Sequence, residues 1–347
     1  MDPESAIRRG VKISASNPEL AVFSWAVGLA AALLIVVPVV GLAVAGAVAL
    51  AAGVPTGATG TEALLAAAES LVAYWPWVFG ASLVAILWTG LILFAYLYAQ
   101  AGLVGCVVRS QRSGPASDRA LRPKLGASQA FKAFSFGLLW EEAQTHGWRV
   151  TMVATAYSMA GTLPLVLYGA WLLGCVRLAL RGSVPSIVAG AAGAMVGLVP
   201  LALIVFALAI HYRFALVCCV QRACGWREAV SAANGVFKSR PLPALAVVGA
   251  AMAARYLVGM AFFLLSLPLL LLSLVPLVGL VMLAPRVLLG LAQSLIGSAI
   301  GIAQLGAIAA LCEPVCEDGI GNPEKSRGGA PPPPGAVPAP TGDSLPT

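Results

Sequence analysis

The sequence predicts an all-α integral membrane protein with six transmembrane helices, arranged as three units of an amphipathic helix followed by a two-span hairpin. Three observations carry this. Hydrophobic residues make up 60% of the chain and charged residues only 10%, against roughly half and a quarter in a soluble domain. The apolar residues fall in runs that match or exceed the ~20 residues a helix needs to cross a bilayer. The stretch before one of these runs also recurs: SAIRRGVKISASNP (Ser5–Pro18) aligns without a gap with EAVSAANGVFKSRP (Glu228–Pro241), from Ala6/Ala229 to Pro18/Pro241. A soluble core of this composition would leave large apolar areas facing water.

The repeated stretch is a short basic amphipathic helix. At helical period Trp226, Ala229, Val230, Ala233, Val236 and Phe237 share one face, and Arg227, Ser231, Asn234 and Lys238 the other. Such a helix leading into a span is expected at the membrane surface, where Trp226, Arg227, Phe237 and Lys238 would meet lipid. A looser third copy is ASQAFKAFSFGLLWEE (Ala127–Glu142).

Taken in order, span 1 covers about Leu20–Ala52, too long for the apolar core of a signal peptide. The loop Gly53–Ala73 lacks Lys and Arg, and Tyr74, Trp75 and Trp77 mark an interface before span 2 at about Trp77–Val108. A basic loop leads to span 3 (about Val150–Gly174), then span 4 (about Val184–Ile210). The run Leu242–Leu311 holds spans 5 and 6, with a break expected near Pro276–Arg286 and another inside span 5 at Pro268. The six-span domain is therefore 1–316, in units of about 3–112, 127–224 and 225–316. Residues 317–347, rich in Pro and Gly, are expected to form a disordered tail.

Charge sets the orientation. Seventeen Lys and Arg fall on the side of the N-terminus, the 2–3 and 4–5 loops and the tail, and three (Arg177, Arg181, Arg286) on the other. Both termini are then expected in the cytoplasm of a bacterium, in a multi-pass protein of the inner membrane. The partner that follows is an anionic inner leaflet, with other membrane proteins as further partners, rather than nucleic acid. The ends of spans 2 and 4 also resemble each other, LVGCVVRSQRSG (Leu103–Gly114) and LVCCVQRACG (Leu216–Gly225), with a weaker ALCEPVCEDG (Ala310–Gly319) after span 6. Units with an even number of spans all point the same way and can surround one axis.

Three hairpins with prolines in the odd spans invite comparison with mitochondrial carriers. Here Pro38, Pro164 and Pro268 precede VVGLA, LVLYG and LLLLS, without the acidic residue those carriers place there. The stretch HYRFALVCCVQRACGWREAVSAANGVFKSRP (His211–Pro241) instead resembles bacterial polytopic proteins like the membrane domain attached to glycerophosphodiester phosphodiesterases. It covers about a tenth of the chain and carries no catalytic signature, so the resemblance implies a membrane fold and no activity.

Chemistry is sparse. Arg255 is the one charge inside an apolar run, lying either at mid-membrane or, if the true span begins at Tyr256, at the interface. His211 and Arg213 stand at the cytoplasmic edge of span 4. No carboxylate lies within a predicted span, Glu141 and Glu142 read as a solvated face, and His146 and His211 have no evident acidic neighbour. Six of the seven cysteines cluster at the ends of even spans without paired metal-ligand spacing, so they read as small apolar fillers, with no metal and no cofactor. Ala189/Gly193/Gly197 and Gly297/Gly301 are spaced for close helix contact. The expected function is a non-catalytic membrane scaffold or accessory protein. The alternative is a transporter or channel-like bundle with Arg255 and the proline-broken spans near a central path.

Overall fold

The computed structural model describes residues 2–53, 69, 75–112, 134–180, 182–273 and 276–320. These form eight helices: α1 (Pro3–Ser16), α2 (Pro18–Gly53), α3 (Trp75–Arg112), α4 (Phe136–Ala179), α5 (Val184–Arg222), α6 (Trp226–Ser239), α7 (Pro241–Leu272) and α8 (Pro276–Ile320). Six of them, all but α1 and α6, are long and apolar enough to cross a membrane. The fold is all-helical, with no strand among the described residues.

The two short helices end in the same way. At Asn17 (φ −131°, ψ 64°) and Arg240 (φ −142°, ψ 59°) the backbone leaves the helix for one residue, and a proline then opens the next helix. A residue before proline is crowded out of the helical region, and proline itself suits a first helical turn. The amides of Asn17 and Arg240 still close onto the carbonyls of Ile13 and Val236. The buried positions correspond too: Ala6, Gly10 and Ile13 in α1, and Ala229, Ala233 and Val236 in α6. The third copy differs. Its residues 127–133 lie outside the described residues, and from Phe136 its remainder runs without a break into α4.

The apolar stripes of α1 and α6 face protein. α1 lies antiparallel along the end of α8, with Ser14 Oγ bonded to the Ala299 carbonyl (3.0 Å) and Arg9 paired with Glu313 (3.4 Å). The crossing is at backbone contact. A β-carbon on Gly10 would sit 2.1 Å from the Ala303 carbonyl oxygen, and one on Gly306 would meet the Gly10 α-carbon at 3.0 Å. The first turns of α4 close on α3 in the same manner at Gly102, against the Leu139 carbonyl, and Gly105 makes room for the Glu142 side chain. α6 packs on the end of α5. Each of these segments thus covers the end of α3, α5 or α8, and α1 returns from the N-terminus to cover the last.

Those three ends form the hub. Ala101, Leu103, Val104 and Cys106–Val108 of α3, Phe214–Val220 of α5 and Ala307–Cys312 of α8 are buried. A helix apolar and buried on every side is surrounded by its neighbours. Away from the hub the same helices diverge, and large apolar side chains such as Val37, Leu87, Val166, Leu203 and Leu264 are exposed.

Several expectations need correction. α7 is not broken at Pro268 but continues to Leu272. α2, α4 and α5 likewise carry Pro38, Pro164 and Pro200 inside continuous helix. Proline removes one backbone bond, and a long packed helix tolerates that loss. The break in the last apolar run falls just before Pro276, which opens α8, and Arg286 lies inside that helix, donating to Ser273 Oγ. α8 also runs past residue 316 to Ile320, and the expected tail beyond lies outside the described residues. The small-residue face of α5 uses Gly190 with Gly193 and Gly197, packed on Cys175 and Trp171 of α4.

The Gly10 crossing generates a test. Gly10→Ala is expected to destabilise the protein by about 1–3 kcal/mol because backbone must move. Gly28→Ala, where nothing lies within 4 Å, is expected to be neutral or stabilising, since Ala favours helix over Gly by about 1 kcal/mol. Thermal unfolding of the two variants in detergent, side by side, checks both.

Candidate functional site

His211 and Arg213 come one turn before the hub on α5, and the fold places polar partners around each. His211 bridges three helices. Its Nε2 meets the Asn234 side-chain oxygen of α6 at 2.9 Å, and its Nδ1 meets the Tyr157 hydroxyl of α4. Both ring nitrogens are thus engaged by side chains of neighbouring helices. Phe237 of α6 stacks on the imidazole (5.6 Å, 14° between planes) and tilts against Phe214 at 4.7 Å. Phe237, expected at the lipid surface, is therefore turned inward. Trp226, Arg227 and Lys238 are exposed, with the Arg227 guanidinium 5.3 Å from the Trp226 ring centre.

Arg213 donates from Nη1 to Gln304 Oε1 of α8. Arg255 reaches α8 from the other side. Its guanidinium lies over Gly301, 3.2 Å from where a β-carbon would be, at one end of a cavity of about 280 Å³. Val258 of α7 and Gly290, Gln293, Ser294, Gly297 and Ile300 of α8 complete the lining. Tyr256 points elsewhere and is exposed. The sequence-predicted residues thus divide: His211 and Arg213 share one polar layer, Arg255 flanks it on α7, and Tyr256 stands apart.

A ring of side-chain bonds caps the hub. Arg112 of α3 donates to the Gln221 carbonyl of α5 (2.6 Å), Gln221 to the Ala309 carbonyl of α8 (2.8 Å), and Gln111 of α3 to Glu313 of α8 (3.5 Å). Beneath it Cys218 and Cys312 touch sulfur to sulfur at 3.4 Å. Among the described residues no three His, Cys, Asp or Glu are grouped to hold a metal.

No family model, curated protein or solved structure matches this chain. Its chemistry must therefore be read from its own geometry.

Sequence reasoning missed one cluster. Glu142 is paired with Arg109 (3.4 Å) and with His146 one turn along α4 (3.5 Å), beside a cavity of about 300 Å³ that Arg112 also lines. The signal was present, since residues 142 and 146 stand at the i, i+4 spacing that makes helical neighbours. Glu142 is thus the acidic neighbour that His146 was expected to lack, and its carboxylate is mostly covered rather than on a solvated face.

Because the buried stripe of α6 faces protein, protein contacts are expected to hold that helix. Reversing the charge at Arg227 and Lys238 should leave hydrogen-exchange protection across 226–237 unchanged in nanodiscs, whereas Ala233→Leu should raise exchange throughout the helix. Loss of protection in the charge-reversed variant would assign the attachment to lipid instead.

Proposed function

We propose that this chain is a multi-pass protein of the bacterial cytoplasmic membrane, with both termini cytoplasmic, that acts as a non-catalytic scaffold or accessory factor. The observation that carries this is the hub. Three long helices converge with Phe214, Val217, Cys218, Leu311 and Cys312 buried together, and a ring of hydrogen bonds closes the end. A transport path along the axis would have to pass through that plug. Exposed apolar side chains on the diverging helices support a lipid surround, because in water they would form patches far larger than a soluble monomer shows. The seventeen-to-three distribution of Lys and Arg supports the orientation.

The proposal includes the three-unit organisation. Its support is the matching exit of α1 and α6, their corresponding buried positions, and the cyclic way in which α1, the start of α4 and α6 cover α8, α3 and α5. The sequence resemblance of His211–Pro241 to bacterial polytopic proteins like the glycerophosphodiester phosphodiesterase membrane domain belongs to the same reading, without activity. What such a scaffold offers is a rigid cytoplasmic end and diverging spans whose lateral faces are available to other membrane proteins.

Two measurements test this. A reporter fused after Cys316 is expected in the cytoplasm and one at Gly57 in the periplasm, and finding both on one side would end the six-span topology. In variants keeping Cys218 or Cys312 as sole cysteine, a charged thiol reagent is expected to label neither from either side of intact vesicles. Labelling from both sides would favour the transporter reading.

A further inference from the structure

The cavity at Arg255 is a different feature from the hub, and its chemistry is specific. Among the described residues Arg255 makes no ion pair or hydrogen bond within the chain, and Gln293 has none through its side chain. Arg213 on α5 feels the charge of Arg255, and none of the residues lining the cavity is acidic. Two guanidinium groups of like sign, one of them unpaired, leave a site that an anion would complete.

Its depth follows from its neighbours. Ala244, Val247 and Val248 bury one side of the first third of α7 against the hub, while Leu242 and Leu245 on the other side are exposed. From Arg255 to Leu272 the helix rises about 26 Å at 1.5 Å per residue, close to the ~30 Å of a hydrocarbon core. Beside the cavity, the first turns of α2 are bonded to the same stretch of α8, Ser298 Oγ to the Ala21 carbonyl (2.9 Å) and Trp25 Nε1 to Ser294 Oγ (2.6 Å). Helical side chains lean toward the N-terminus, which carries the guanidinium toward the cytoplasmic boundary. Of the two placements, the inner edge of the bilayer, where lipid phosphates lie, leaves the rest of α7 about as long as a hydrocarbon core is thick.

From that edge the cavity continues down α8 from Ile300 to Gly290, about 15 Å along the helix. Its floor is glycine at 297 and 290, Val258 forms a wall, and the Gln293 amide projects partway down, 3.8 Å from where a β-carbon on Gly259 would be. A cation at the mouth and, farther down, an amide set between two glycines offer partners for the phosphate, ester and acyl chain of a phospholipid. We propose that this groove between α7 and α8 holds one anionic phospholipid of the inner leaflet. Arg255 takes its phosphate, Gln293 donates to its ester region, and the glycine floor takes an acyl chain. The inference rests on the membrane reading above.

The test is native mass spectrometry of the full chain, released from detergent micelles loaded with equal dioleoylphosphatidylglycerol and dioleoylphosphatidylcholine. One phosphatidylglycerol per chain is expected, retained in preference to phosphatidylcholine. Arg255→Gln should weaken retention by about tenfold or more, as loss of a charge-assisted hydrogen bond predicts, and Arg255→Lys should restore part of it. Gly297→Leu should weaken retention as well, since nothing lies within 4 Å of the added carbon and the larger side chain fills the slot without disturbing the fold. Equal retention of the two lipids, or no effect of Arg255→Gln, would overturn the proposal. Displacement by inorganic phosphate with no lipid preference would also overturn it, in favour of a soluble anion. Flotation with vesicles keeps the two readings apart. Protein that fails to float contradicts the membrane assignment and the lipid site together, while protein that floats without lipid preference contradicts the site alone.

Discussion

The interaction on which this structure depends is the mutual burial of three helix ends. Residues at the ends of α3, α5 and α8 are covered on every side, and many side chains there are small alanines, valines and cysteines packed around the larger Phe214, Leu216, Ile308 and Leu311. That composition has a physical reason. Three helices can approach an axis closely where most side chains are short. The cysteines belong to this packing, and the 3.4 Å contact of Cys218 with Cys312 shows how near the axes come.

The remaining elements follow from the hub. α1, the start of α4 and α6 each bury a narrow stripe against one of its helices, and Gly10 and Gly102 stand where the backbones touch, while Gly105 lies under the Glu142 side chain. The polar ring of Arg112, Gln221, Gln111 and Glu313 gives partners to the Arg112 guanidinium and the Gln221 and Gln111 amide nitrogens beside an apolar core. His211, held between Tyr157 and Asn234, fastens α6 to α4 and α5 at the next level. A scaffold built this way is rigid at one end and open laterally along its spans, so the groove at Arg255 is a lateral feature rather than a central one.

Much of this was legible in the sequence, and the failures share a cause. Composition and run length fix the helix class, and the gapless match of Ser5–Pro18 with Glu228–Pro241 reveals two helices with the same exit and the same buried positions. Periodicity, however, shows which face of a helix is apolar, not what covers it. The stripe of α6 reads as a lipid-facing surface, whereas in the fold α5 and its neighbours cover it, and Phe237 points at His211. Proline offered a local argument for a break at Pro268 that a long helix overrides. Arg255 could be placed at two depths from sequence because a run of apolar residues looks the same against protein as against lipid. Pairings across helices, such as Arg9 with Glu313, leave no local trace at all.

The central claim is that the ends of α5 and α8 meet inside the hub. The most direct measurement is cross-linking in a variant keeping only Cys218 and Cys312, treated in membranes with the apolar thiol cross-linker dibromobimane and then cleaved at a protease site inserted between Ser273 and Pro276. The account predicts that the two fragments stay joined. Fragments that separate, with both thiols shown to be free and reduced, would contradict it.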